Sequence, residues 1–215
     1  ERWLFDDIVT FIEGLRSLPT WVVLENVRNL LSHDQGRTAL GVFRQVAALG
    51  FNIEYGVVRA SEAGLPHQRA RVFIVATHPD GPSGEAREHP GRSRAGLRLQ
   101  PVGRTTPPPN PDQQGPQGPQ PAERRLLPPR GYRAAHGVDW GDYGAAVARW
   151  ESICGHPAPY PADDKGRINP QFVEWMMGHE VGLVTDVTPQ RTHSLRLLGN
   201  SVCPPQAELA LALLT

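Results

Sequence analysis

The stretch from Pro79 to Pro129, which contains "PVGRTTPPPNPDQQGPQGPQP", is dense in Pro, Gly and Gln and poor in large apolar side chains. Such a composition cannot bury enough surface to offset the conformational entropy lost on ordering. Packed structure must therefore come from the residues on either side of it. The stretch is also biased in charge. From Arg87 to Arg133 nine arginines face only Glu88, Asp112 and Glu123, although the whole chain balances 22 basic against 22 acidic side chains. Arginine pairs bidentately with phosphate, so the segment reads either as a contact for a phosphate backbone or as a solvated, Arg-biased linker.

Length and composition fit one soluble domain with a smaller appendage. No apolar run approaches the roughly 20 residues of a membrane span. No charged leader precedes an apolar run, and the two cysteines, Cys154 and Cys203, stand far apart. A cytoplasmic protein without a disulfide framework is expected. The chain opens without Met, at Glu1 in the helix-like run "ERWLFDDIVTFIEGL", which leads us to expect part of a larger protein.

Before the low-complexity stretch, Phe5, Ile8, Val9, Phe11, Ile12 and Leu15 recur at helical spacing until Pro19. The apolar run Trp21 to Leu24 then reads as a buried strand. "GRTALGVFRQVAALG" places Leu40, Phe43, Val46, Ala47 and Leu49 on one helical face and ends at a capping Gly50. "FNIEYGVVRA" and "RVFIVATHP" read as two further strands. Strand, helix, strand, strand is α/β organisation. After the stretch, "DWGDYGAAVARWESI" predicts a helix with Tyr143, Val147 and Trp150 on one face. "NPQFVEWMMGHE" predicts another that starts at Pro170 and offers Phe172, Val173, Trp175 and Met176. The end, "LGNSVCPPQAELALALLT", reads as a Gly-Asn turn and a last helix with prolines in its first turn.

Glu25-Asn26-Val27 at the end of an apolar strand, "GLPHQRARVFIVA" further on, "RINPQFVEWMMG" and finally "LGNSVCPPQAELALALL" occur in that order. Each alone is weak, and Glu25 by itself reads equally as a surface residue opening a loop. Together, in order and spacing, they resemble the cytosine-5 DNA methyltransferase family over nearly the whole chain. The resemblance implies a flipped cytosine, attacked at ring carbon 6 by a Cys thiolate and methylated at carbon 5 from S-adenosylmethionine.

On that resemblance Glu25 assists at ring nitrogen 3. Burial at a strand end beside an open cleft would raise its pKa and keep it able to donate a proton. Arg71 is assigned to the cytosine carbonyl oxygen, and Arg69 to the catalytic loop and the adjoining phosphate. Asn26 and Val27 complete the first motif as substrate-binding residues, and Arg167 is assigned with them. Asn200, Ser201 and Val202 close over the methionine end of the cofactor, with Gly199 permitting a tight backbone approach and Asn200 and Ser201 offering a helix cap. Arg167, Phe172 and Glu174 fit the family's bracing motif, read as structural. His179-Glu180 stand where the family often has an apolar residue and Pro, and the shifted Gln leaves His67 and Gln68 outside the assignment.

The family's Gly-rich cofactor loop and Pro-Cys nucleophile motif have no counterpart in these residues. Cys154 and Cys203 each read as a small packed residue rather than a displaced nucleophile. The eight histidines show no paired metal spacing. The expected architecture is therefore the C-terminal half of a Rossmann-like methyltransferase domain with a short target-recognition region. Residues 1–79 would be catalytic, 80–130 a disordered linker, 131–190 the recognition region and bracing motif, and 191–215 the cofactor-closing motif and a terminal helix packing back on the catalytic part. The expected partners are double-stranded DNA and the missing N-terminal half, with no membrane, in an enzyme monomeric when complete and of restriction-modification or phage type. The chain alone would be inactive; the alternative is a non-catalytic DNA-binding remnant or one subunit of a split enzyme.

Overall fold

The computed structural model describes residues 4–79, 135, 137–188 and 190–215. The Pro/Gly/Arg-rich segment and its nine arginines lie outside the described residues. Contacts divide the described chain into two compact units: residues 4–58, 70–79 and 210–215 form the first, and residues 59–69 and 135–209 the second. No described helix is long and apolar enough to cross a membrane.

The first unit is α/β. Helix α1 (Leu4–Glu13) leads to strand β1 (Trp21–Val27), helix α2 (Arg37–Ala48) and strands β2 (Asn52–Arg59) and β3 (Ala70–Thr77). The strands form one sheet in the order β1-β3-β2. β3 runs antiparallel to β1 with Glu25 opposite Phe73 and Val27 opposite Arg71. Because side chains alternate across a strand, this register divides the sheet into two faces. Leu24, Val72, Ile74, Ile53, Tyr55 and Val57 pack with Phe5, Ile8, Val42 and Phe43 from α1 and α2. Val22 and Ala76 continue that layer with Ile12, Val46 and Phe51. Val72 to Ala76 are all buried, as the centre of a sheet requires.

Several expectations shift in detail. β1 is not a buried strand: it is an edge among the described strands, and Trp21, Val23 and Val27 are each close to half exposed. Its even positions reach the core while its odd ones do not. In α1, Phe5 and Ile12 are buried but Phe11 is exposed and Leu15 lies beyond the helix. The buried face of α2 is Ala39, Val42, Phe43 and Val46, offset from the expected stripe because the helix turns Val42 inward and leaves Ala47 exposed. Gly50 ends α2 as expected, with φ of 91° and its N–H on the carbonyl of Ala47 at 3.0 Å. A side chain there would be strained and its Cβ would meet His78 Nε2 at 2.9 Å.

The second unit holds α3 (Gly144–Cys154), α4 (Pro170–Met176), α5 (Arg191–Asn200) and most of α6 (Pro204–Leu214). Its core is Ala60, Leu65, Val147, Trp150, Ala158, Trp175, Met177 and Cys203, with Phe172, Val173 and Met176 packed against it. Tyr143 does not join this face: it sits in a short turn before α3 and is 70% exposed. Pro170 starts α4 as expected, and Asn169 caps it by accepting from the N–H of Gln171 at 3.1 Å. Trp150 donates its indole N–H to the carbonyl of Trp175 at 2.9 Å.

Candidate active-site residues

In the first unit the structure brings Glu25 and Arg71 together. The register sets them diagonally across β1 and β3, on the face turned away from α1 and α2. Arg71 Nε lies 2.8 Å from Glu25 Oε1, and each side chain is 18% exposed. The contact is off the donor axis, so Oε1 is held by charge without a well-directed hydrogen bond. Arg71 also donates from Nη1 to the carbonyl of Ala70 at 3.0 Å. Because the strands run antiparallel, the end of β1 and the start of β3 coincide, which is how residues so distant in sequence form one pair. Asn26 points to the other face, and its Oδ1 accepts from the N–H of Val27 at 2.8 Å. Val27 is exposed.

In the second unit Arg69 acts as a clamp. Its Nη1 donates to the carbonyl of Gly199 at 3.1 Å and its Nη2 to that of Ser201 at 2.7 Å. Its own carbonyl accepts from Gln206 Nε2 at 2.9 Å and from the N–H of Ala60 at 3.0 Å. Gln206 is fully buried, a role that its position in "PPQAEL" did not reveal. Gly199 and Asn200 close α5 rather than forming a free turn. Among the described residues nothing lies within 4 Å of a Cβ added at Gly199, so their packing asks for no glycine there. Ser201 caps the end of α5, its Oγ donating to the carbonyl of Leu198 at 2.8 Å. The side chains of Asn200 and Val202 remain exposed.

Arg167 is held by Asp163, with Nε and Nη2 donating to Oδ2 at 2.9 and 2.8 Å. Those side-chain hydrogen bonds, joined by the backbone N–H of Arg167, hold the Asp163 carboxyl down at about 2. Arg167 also lines an open cleft of about 260 Å³ with Asn169, Gln171, Thr185, Thr188 and Arg191. Glu174 is fully buried yet accepts from the N–H groups of Gly182, Val184 and Thr185 and from Thr185 Oγ1, at 2.6 to 3.1 Å. It fixes the loop after α4, the structural part expected of its motif. His67 contributes similarly, with Nε2 3.0 Å from the carbonyl of Met176.

A family model described as C-5 cytosine-specific DNA methylase matches residues 1–106. That match supports the family expected from the motifs, over a little under half of the chain. Among relatives of this family, the type II methyltransferase M.BsuFI of Bacillus subtilis is 40% identical over 62 residues, 29% of this chain and 15% of the relative. M.SsoII of Shigella sonnei is 38% identical over 72 residues, 34% of this chain and 18% of the relative. M.Bsp6I of a Bacillus species is 37% identical over 70 residues, 30% of this chain and 22% of the relative. The matched part thus spans less than a quarter of each of these relatives. The crystal structure of the S. pombe Dnmt2 methyltransferase aligns with 97% of this chain and 69% of that one, at a TM-score of 0.49 and 15% identity. The helices and three-stranded sheet of the first unit agree with the α/β class expected from the motifs.

Neither cysteine has the environment of a nucleophile. Burial, and then the charge of Glu151, push the Cys154 thiol up to about 12. Cys203 is fully buried with its Sγ 3.5 Å from the Met177 sulfur. A reactive thiolate needs the opposite, an electropositive and partly exposed setting. Among the described residues no group of three or more His, Cys, Asp and Glu could hold a metal ion.

Proposed function

We propose that this chain is part of a DNA (cytosine-5-)-methyltransferase that moves a methyl group from S-adenosylmethionine to carbon 5 of a flipped cytosine. The observation that carries the reading is the Glu25–Arg71 pair, a carboxyl and a guanidinium 2.8 Å apart on the sheet face turned away from α1 and α2. A cytosine ring offers a nitrogen that accepts a proton at position 3 beside a carbonyl oxygen at position 2. Glu25 would give its proton to the nitrogen while Arg71 donates to the oxygen, so the ring's electron density drawn by attack at carbon 6 is held on the pyrimidine edge. The guanidinium is already tied to the backbone of Ala70, which limits the freedom lost on engaging a base.

The residues toward the cofactor fit its amino-acid end. Asn200 presents an amide, Val202 an apolar surface and Ser201 a fixed backbone, all at the C-terminal end of α5. When bound, S-adenosylmethionine supplies the electrophilic methyl group. Arg69 holds the segment through two carbonyls, and its role is positioning rather than contact with the reacting atoms. Arg167 and Arg191 in the open cleft would meet backbone phosphates of double-stranded DNA. Val27, on the face of Glu25, would border the base, and Asn26 would act from the other face through its Oδ1 on the Val27 N–H.

The chain is, on this reading, an incomplete C-terminal portion of the enzyme, inactive alone and monomeric when complete. Support comes from the unsuitable environments of Cys154 and Cys203 and from the small share of each relative that is matched. The half-exposed edge and odd face of β1 would be covered by the rest of the catalytic domain, in the cytoplasm of a cell or phage host using restriction-modification. Tritiated methyl transfer to DNA tests this. The 215-residue chain should give none, and the chain extended upstream to include a Pro-Cys motif should label DNA. Label from the chain alone, or none from the extended chain, overturns the reading.

A further inference from the structure

We propose that His179 is a positioning residue for the segment 199–202, tying that segment to the end of α4 through the Ser201 hydroxyl. The inference rests on the reading above, that this segment closes over the methyl donor. His179 stands where related motifs often place an apolar residue, and its ring reaches Ser201 Oγ from Nε2 at 2.7 Å.

The direction of this hydrogen bond follows from its neighbours. Ser201 Oγ lies 2.8 Å from the carbonyl of Leu198, which can only accept, so the single hydroxyl proton goes there. The lone pair facing His179 must therefore receive a proton, and the ring carries it on Nε2. Arg69 supplies the segment's other two ties, at the carbonyls of Gly199 and Ser201. An imidazole and a guanidinium from different parts of the second unit thus grip three oxygens within three residues. Neither presents an acceptor to the segment, so together they fix the direction of every polar atom they touch.

The base of this device is rigid. The N–H of His179 donates to the carbonyl of Glu174 at 3.2 Å. Gly178, with φ of 73°, sits so closely on Pro205 that an added Cβ would meet Cδ at 3.0 Å and Trp150 Cζ2 at 3.3 Å. The ring is half-buried. An apolar side chain at this position would leave the Ser201 hydroxyl with one fewer partner and free to turn. Burial first, and then the cation of Arg69, lower the pKa of His179 against the opposing charge of Glu174, which keeps the ring in the neutral form that the tautomer assignment describes.

The test uses the 215-residue chain labelled with ¹⁵N. The His179 ring should show the Nε2–H tautomer, and His179→Ala should speed amide exchange over Asn200 to Val202 about five- to tenfold, the worth of one hydrogen bond. His179→Gln, whose amide nitrogen falls near Nε2, should return exchange to within about twofold of the native rate. A ring protonated on Nδ1, or exchange unchanged in His179→Ala, overturns the proposal. Titration of the upstream-extended enzyme with S-adenosylmethionine then separates the two claims. Shifts at Asn200 to Val202 uphold the role of the segment, whereas their absence, with the exchange result intact, overturns the cofactor reading and leaves the His179 tie standing.

Discussion

Glu174→Gln is the substitution whose cost can be worked most directly from the geometry. Oε1 accepts from the N–H groups of Val184 and Thr185, and Oε2 from that of Gly182 and from Thr185 Oγ1. A glutamine placed with its oxygen toward Val184 keeps the first two. Its NH₂ then opposes the Gly182 N–H at a separation near 2.8 Å, while the Thr185 hydroxyl can turn to accept. One charge-assisted hydrogen bond is lost and one buried donor is left facing another donor, for a cost of roughly 2–4 kcal/mol. Against a typical domain stability of about 5–15 kcal/mol that is a large fraction. Urea unfolding followed by tryptophan fluorescence reads it well, because Trp150 and Trp175 are buried in the second unit whereas Trp21 is already exposed. With a slope of about 1–2 kcal/mol per molar urea, the midpoint should fall by about 1–4 M. Glu208→Gln, an exposed carboxylate on α6, serves as the control and should leave the midpoint unmoved. A Glu174→Gln midpoint equal to that of the control would refute the assignment of the loop to this carboxylate.

Three further outcomes follow from the same contacts. Arg71→Ala leaves the largely buried Glu25 carboxylate without its counter-charge and should destabilise the first unit by about 2–3 kcal/mol in urea unfolding, between the values for exposed and fully buried pairs. His179 titrates below its ordinary value of 6.5 in the fold, chiefly through burial. The unfolded chain therefore takes up the proton first as pH falls, and stability should be full above 6.5 and decline below it, a trend that His179→Gln flattens in thermal unfolding measured across pH. Neither Cys154 nor Cys203 should react with a maleimide in the native chain at neutral pH, and both should react in urea; rapid native labelling of Cys154 would contradict its raised pKa.

The pattern of strand, helix, strand, strand was legible because its signals are local: the apolar period of α1, the Gly50 stop and the β-branched run of β3. Burial within those elements was less legible because it depends on neighbours. The run Trp21 to Leu24 is apolar throughout, yet only its even positions reach the core, since only one sheet face is covered by α1 and α2. Tyr143 was misplaced because the turn before α3 breaks the helical phase that was extrapolated through it. The site divides in the same way. Motif order singles out Glu25 and Arg71 as candidates, and their diagonal pairing follows once β3 is known to be antiparallel to β1. Gln206 and Asp163 carried no such signal: one acts through the backbone of Arg69, the other through a turn closing on Arg167. Residues 59–69 cluster with the second unit, a division invisible in a sequence that runs smoothly from β2 to β3.

The central claim is that Glu25 serves the cytosine ring as a proton donor beside Arg71. Single-turnover transfer of a tritiated methyl group by the upstream-extended enzyme, native and Glu25→Gln, tests it most directly. Because the amide keeps the shape but has no acidic proton, the account predicts that DNA binding is retained and the methyl-transfer rate falls by about 10²–10⁴-fold. A Glu25→Gln enzyme that transfers methyl groups at the native rate would contradict it.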